Sequence, residues 1–250
     1  MKAGARGKKV RQLQARLNEL SFGPLEVDGV FGPATASSVR LFQKASRLEV
    51  DGIAGPRTME ALETRPTGTS SQEPAILQVL RQKGYEVFTG GDINTIGVRS
   101  VPGVPNRFDD KMHFVWWCRN HWEHKVVACT TDPGTYWIDN PMNVDGAATL
   151  EPGQYVRAYK FDKHRGKYMA LCQRGAEVKF RRTETPNELE EDWIGANIHH
   201  AGENFSEYVN RWSACCQVIQ KIEDWDMAMG IWMASQQKWF TYTLLLSTDL

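Results

Sequence analysis

Two adjacent cysteines, Cys215 and Cys216, follow a histidine pair, His199 and His200, and His199 stands seventeen residues ahead of Cys216. A thiol and an imidazole that converge can act as nucleophile and base, because the ring takes the thiol proton and favours the thiolate. Backbone N–H groups at the Cys215–Cys216 turn could then receive the oxyanion of an attacked carbonyl. Residue types and spacing do not by themselves separate a catalytic pair from two structural side chains. The decision falls to the elements that carry residues 199 and 216.

A strand expected over 193–199 places His199 at its end, and a polar loop over 201–210 returns the chain at Ser213, which can bring Cys216 back to the imidazole. Further short aromatic or β-branched segments at 85–88, 114–117, 125–129, 136–138, 155–159, 168–171 and 177–180 are separated by Gly, Pro, Asn or Asp and read as strands. A short helix over 75–83 precedes them, with Gly84 as its C-terminal cap. Ile222, Trp225, Met229 and Trp232 share one face of a late helix, which reads as core packing, before a final strand over 240–246. The result is a mostly β domain with a few helices.

Residues 64–74 contain no large apolar side chain and three Pro or Gly, so they are expected to be a linker between residues 1–63 and 75–250. In the first segment Val10, Leu13, Leu17 and Leu20 recur at helical spacing. Pro33 and Pro56 each suit the first position of a further helix, so this unit should be a small three-helix domain. The expected fold class for the chain is therefore α+β. The unit holds a repeat at an offset of twenty-three, Val27-Asp28-Gly29-Val30-Phe31-Gly32-Pro33 and Val50-Asp51-Gly52-Ile53-Ala54-Gly55-Pro56. With Leu13-Gln14, Thr35 and Phe42-Gln43 in addition, residues 5–63 resemble the peptidoglycan-binding-domain-1 family. That resemblance implies a non-catalytic module holding peptidoglycan in a shallow groove, with Asp28, Gly29, Phe31, Gly32, Asp51 and Gly52 as the substrate-binding residues.

Ile198-His199 followed by Ser213-x-x-Cys216 resembles the active-site segment of L,D-transpeptidase (YkuD-like) catalytic domains. The resemblance implies that Cys216 is the acyl-accepting nucleophile, His199 its base, the His200 carbonyl the group that orients the ring, and Ser213 a support for substrate or oxyanion. Two positions depart from the family pattern. The glycine before the nucleophile is Cys215, whose β-carbon would cost roughly 1–2 kcal/mol if that position needs a positive φ. The family's arginine two residues after the nucleophile is Val218, which implies altered substrate recognition. Cys215 is the alternative nucleophile by a one-residue slip.

Composition bounds the remaining readings. Formal charge is zero, but residues 1–65 carry eleven Lys or Arg against seven Asp or Glu, a +4 excess suited to an anionic polymer and balanced by −4 beyond. Five cysteines at 118, 129, 172, 215 and 216 do not make a disulfide framework. No phosphate-binding loop, dinucleotide fingerprint or basic stripe points to nucleotides or nucleic acid, and no apolar run is long enough to insert in a membrane. His121 and His124 face opposite ways in a strand and lack a third ligand among His113, His164, Cys118, Cys129 and Cys172, so no metal and no cofactor is expected. The acidic run Glu188, Glu190, Glu191 and Asp192 could serve a muramidase, but so dense a run usually forms a solvated face.

The expected function is an endolysin-like cysteine peptidase that cleaves the peptide stem of bacterial peptidoglycan through a Cys216 thioester. The alternatives are a cross-linking L,D-transpeptidase and a wall-binding protein without catalysis. A monomer is expected, made in the cytoplasm without a signal peptide and acting on the wall after release.

Overall fold

The computed structural model describes all of the chain except residues 21, 24, 47, 65–71, 119, 120 and 236. Most of the expected linker lies outside the described residues.

Three helices, α1 (Lys8–Glu19), α2 (Pro33–Ala45) and α3 (Pro56–Thr64), build the N-terminal unit. Proline opens α2 and α3 because it lacks the N–H that a first helical position leaves unpaired anyway. Val10, Leu13 and Leu17 of α1 meet Phe31, Val39, Phe42 and Leu62 in a core of their own. Lys44 of α2 forms an ion pair with Asp226 of the larger unit.

The larger unit begins with α4 (Ala75–Gln82), after which Gly84, at φ 74°, ends the helix in the left-handed region. Its sheet elements are β1 (Ile93–Arg99), β2 (Asp110–Cys118), β3 (His121–Thr130), β4 (Ala148–Leu150), β5 (Gly153–His164), β6 (Tyr168–Gln173), β7 (Val178–Arg182), β8 (Glu190–Asp192), β9 (Ile198–His200), β10 (Gln217–Ile219) and β11 (Phe240–Leu246). Two helices interrupt them, α5 (Thr135–Asp139) and α6 (Ile222–Ala234). Eight strands close a barrel in the order β1-β11-β5-β6-β9-β10-β3-β2, and β4-β7-β8 form a separate three-stranded sheet. The protein is thus α+β, with a small helical unit and a mostly β unit.

Met112, Phe114, Tyr159, Leu171, Ile198, Tyr242 and Trp232 share the main core. Trp232 anchors α6 there by an edge contact to Phe114, ring centroids 5.2 Å apart, and a 2.9 Å hydrogen bond from its indole N–H to Thr95 Oγ1. Ile76, Leu77 and Leu80 of α4 pack a second core against Ile96, Val98, Val115, Trp122 and Leu245. Every one of these apolar strand positions alternates with a neighbour on the opposite face, the period-2 pattern of a β-layer.

Three expected strands differ. Residues 85–88 are extended but unladdered, because side chains substitute for a neighbouring strand: Asn94 Oδ1 accepts from Phe88 N and Gln154 Oε1 from Glu86 N, each at 2.8 Å. Residues 136–138 lie in α5, whose first turn closes on the Gly134 carbonyl. The strand expected over 193–199 contracts to β9, since Gly195 at φ 69° breaks the extended run and Gln173 Oε1 takes the N–H groups of residues 195 and 196.

Candidate active site

β9 and β10 run parallel and adjacent, with Gln217 opposite Ile198, Val218 opposite His199 and Ile219 opposite His200. A parallel neighbour needs a return connection, and residues 201–216 supply it. Period-2 alternation sends Ile198, Gln217 and Ile219 to one face and His199, Cys216 and Val218 to the other. Cys216, just ahead of β10 and two residues before Val218, the partner of His199, therefore falls on the same face as His199. Cys215 points the opposite way into the main core, 5 % exposed, and burial pushes its thiol far up. Its φ is not positive, so the backbone cost considered for a β-carbon at this position does not arise.

His199 is fixed by its own strand. Its Nδ1 donates to the His200 carbonyl at 2.9 Å, and the Tyr168 hydroxyl lies 3.3 Å from the same nitrogen. A carbonyl can only accept, so Nδ1 carries the proton and the lone pair resides on Nε2. Burial, with help from neighbouring His164, pushes the ring down to about 3, so it is neutral. Nε2 is buried and, among the described residues, has no hydrogen-bond partner. A buried, oriented lone pair without a partner is what a general base needs.

Cys216 lines a cleft of about 410 Å³ together with Trp137, His164, Arg165, Arg182 and Gly195, among others. Its thiol lies 3.6 Å from the Gly195 carbonyl, and burial pushes it up to about 11. The expectation of a thiolate made by the imidazole is therefore corrected: near neutral pH both groups are uncharged, and the thiol is hydrogen-bonded to Gly195 rather than to His199. For Sγ to meet Nε2 the thiol must leave the Gly195 carbonyl, a tightening of the kind that substrate binding commonly produces.

Ser213 is fully buried and donates its hydroxyl to the Cys216 carbonyl at 2.8 Å, while its own carbonyl accepts from Gly134 N at 2.8 Å. The expected contact with substrate is replaced by a positioning one: Ser213 holds the backbone that carries the thiol. Val218, at the family's arginine position, is buried with Phe108, Ala201 and Val209.

Other parts of the site come from the β5–β6 hairpin, far from His199 in sequence. The His164 ring stacks on His199 at 4.3 Å between centroids, with its Nδ1 3.2 Å from the Asn197 amide nitrogen. Asn197 Oδ1 accepts from Gln173 N, which leaves that amide nitrogen to donate and puts the His164 proton on Nε2. The basic run from Lys163 to Lys167 was a visible signal, but nothing local joined it to residue 199.

In the N-terminal unit the repeat is a repeated clamp. Gln14 is buried, donates to Asp28 Oδ1 at 2.7 Å and to the Val30 carbonyl at 3.0 Å, and accepts from Gly29 N at 2.9 Å. Gln43 does the same with Asp51 Oδ1 at 2.7 Å, the Ile53 carbonyl at 2.9 Å and Gly52 N at 2.9 Å. Gly29 and Gly52 sit at φ 79° and 74°, and a β-carbon on either would press on Arg11 or Arg40. These two glycines and Phe31, 1 % exposed, are buried, so their expected contact with substrate is corrected to shaping the turns and core. Asp28 and Asp51 are exposed, with their carboxyls held below the usual range first by the N–H groups of Val30 and Ile53 and then by the glutamines. Gly32 caps α2.

Among the described residues no group of three or more His, Cys, Asp or Glu could hold a metal ion, and no helix is long and apolar enough to cross a membrane. His121 turns inward to Glu123 at 3.0 Å, and His124 turns outward to His113 at 2.9 Å. Cys129, Cys172, Cys215 and Cys216 are free thiols. Glu190, Glu191 and Asp192 form β8 of the small sheet, where Glu190 pairs with Arg182.

Residues 6–62 match the family described as "Putative peptidoglycan binding domain". No curated protein is significantly similar to the chain. Among solved structures, the SleB N-terminal domain is 43% identical over 25% of this chain and 86% of its own, with a TM-score of 0.25. An L,D-transpeptidase from Xylanimonas cellulosilytica DSM 15894 is 16% identical over 98% of this chain and 96% of its own, with a TM-score of 0.32. The Burkholderia AP3 phage endolysin is 29% identical over 34% of this chain and 33% of its own, with a TM-score of 0.25. TM-scores this low carry no argument about the larger unit. The match over residues 6–62 gives the N-terminal unit its family, and the β unit is read from its own geometry.

Proposed function

We propose that the chain is a cysteine peptidase of the peptidoglycan peptide stem, with residues 1–63 binding the wall and residues 75–250 performing the cleavage. The observation that carries this reading is the buried, unpartnered Nε2 of His199 on the same sheet face as the cleft-lining thiol of Cys216. Support for the substrate comes from the family match over residues 6–62.

In the proposed reaction the Cys216 thiol leaves the Gly195 carbonyl and turns to His199 as the stem carbonyl arrives. Sulfur bonds to the carbonyl carbon while its proton passes to Nε2, giving a tetrahedral oxyanion and an imidazolium held by the His200 carbonyl. The oxyanion collapses, the C–N bond breaks, and the imidazolium protonates the departing amine. Water then attacks the thioester, losing its proton to Nε2, and the thiol is regenerated as the acid departs. A general base acting during attack suits a pair that starts neutral. Water as acceptor needs nothing beyond the cleft described, whereas cross-linking needs a second site for an acceptor stem. Action on the wall after synthesis in the cytoplasm belongs to the same proposal.

The test is digestion of purified sacculi by the parent, Cys216→Ala and Cys215→Ala proteins, followed by mass spectrometry of the released muropeptides. Expected are shortened or separated stems from the parent and Cys215→Ala, and none from Cys216→Ala. Cleavage by Cys216→Ala would remove the thioester reading. New cross-links would name a transpeptidase, shortened glycan a muramidase, and sacculi bound without change a wall-binding protein.

A further inference from the structure

The cleft beside Cys216 carries a charge imbalance. Its wall includes His164, Arg165 and Arg182, and no Asp or Glu among the described residues lines it. Two of the three basic groups are already satisfied. Arg182 pairs with Glu190 Oε1 at 3.0 Å, donates to the Gly146 carbonyl at 3.3 Å and lies over the Phe180 ring at 4.9 Å. His164 is neutral, with burial pushing it down to about 4, and is held by Asn197.

Arg165 differs. It is exposed at the tip of the β5–β6 hairpin and, among the described residues, has no ion pair or side-chain hydrogen bond. Its backbone stands at φ 49°, a left-handed conformation that costs a non-glycine residue about 1 kcal/mol and that the Lys167 N to His164 O bond, 2.9 Å, helps to hold. Gly166, at φ 70°, shares the left-handed conformation, so the two residues form the centre of a hairpin turn with positive φ at both positions. The arginine is nonetheless close enough to the chemistry for its charge to act on Cys216, His199 and Tyr168.

We propose that Arg165 anchors a free carboxylate of the acyl-donor peptide. This inference rests on the peptidase reading of the same cleft. A guanidinium matches a carboxylate with two parallel N–H···O bonds, and an unpartnered one at the mouth of a cleft without acids selects for an anionic ligand. Arg165 is thus a specificity residue at the substrate, placed on a different element from the nucleophile.

The test uses one stem tetrapeptide in two forms, with free and with amidated carboxyl groups. Turnover is measured with the parent, Arg165→Gln and Arg165→Lys proteins, and calorimetric binding in the Cys216→Ala and Cys216→Ala/Arg165→Gln proteins. The parent is expected to favour the free carboxylate about 10- to 100-fold in kcat/KM, mainly through KM. Arg165→Gln should bring that preference close to one, and Arg165→Lys should keep part of it. Calorimetry should show the same preference in Cys216→Ala and its loss in the double variant. If no form is turned over but the binding preference follows Arg165, the anchor stands and the peptidase reading fails. Equal binding of both forms by Cys216→Ala, or a preference that survives Arg165→Gln, would overturn the anchor. Because Arg165 has, among the described residues, no ion pair or side-chain hydrogen bond, thermal melting of Arg165→Gln should match the parent.

Discussion

Cys216 should alkylate slowly near neutrality, which separates a neutral thiol–imidazole pair from a preformed ion pair. Burial holds the thiol at about 11 and the His199 ring at about 3. At pH 7 a thiol with that pKa is about one part in 10⁴ thiolate, against roughly 3% for an ordinary cysteine. The scarcity slows reaction about 300-fold, and the greater basicity of the thiolate returns about tenfold, leaving a rate roughly 30-fold below that of a free thiol before any steric effect. The assay is timed iodoacetamide labelling from pH 5 to 10, quenched and mapped by peptide mass spectrometry, with glutathione as reference. Cys129, Cys172 and Cys215 are buried and serve as internal controls that should react more slowly still. The Cys216 rate should climb about tenfold per pH unit through this range. Fast labelling at pH 5–6 that levels off by pH 7 would mean a thiolate–imidazolium pair, and the general-base step would be wrong.

The buried histidines should make the fold acid-sensitive. His199 titrates near 3 and His113 and His164 near 4 in the folded protein, so the unfolded chain takes up protons first and stability present above about pH 6.5 is lost as pH falls towards 3–4. For His199 alone the loss is about 2 kcal/mol at pH 5. Urea midpoints at pH 7 and 5 should show it, His199→Gln should reduce the difference, and equal midpoints in the parent would count against neutral burial. Ser213→Ala removes the hydrogen bond to the Cys216 carbonyl and should lower kcat about tenfold with little change in KM; unchanged kcat would show that the thiol needs no such support. Gln14→Ala and Gln43→Ala each strand buried backbone groups at an Asp-Gly turn and should cost about 2–4 kcal/mol by denaturant titration. A loss below 0.5 kcal/mol would mean that the turns hold themselves.

Much of the larger unit was legible because amphipathic patterns there coincide with ladders. The expected strand over 240–246 is β11 in full, and the expected segments at 114–117 and 125–129 lie inside β2 and β3. The helical face of Ile222, Trp225, Met229 and Trp232 lies in α6, with Trp225 and Trp232 buried in the core. Residues 85–88 misled because extended backbone and a β-ladder carry the same pattern, and only the Asn94 and Gln154 side chains distinguish them. β10 is three residues long, too short for any periodicity to register.

In the site, local spacing could indicate that His199 and Cys216 return to one face, because a single loop joins them. It could not supply His164, Arg165 or Tyr168, which the β6–β9 pairing of Leu171 with Ile198 brings to the neighbourhood of His199 and the cleft. Nor could it reveal the protonation of the pair, since burial of both groups is a property of the packed barrel. The repeat showed where the Asp-Gly turns lie and the motif included Gln14 and Gln43, but that these glutamines clamp the turns became visible only once the helices were placed.

The most direct measurement is acid-quenched peptide mapping of the parent protein during turnover of a stem peptide. A mass increase equal to the acyl fragment, on the peptide containing Cys216, labile to hydroxylamine and absent from His199→Gln, is expected. Turnover with an unmodified Cys216 peptide, or an adduct on another residue, would contradict the thioester at the centre of this reading.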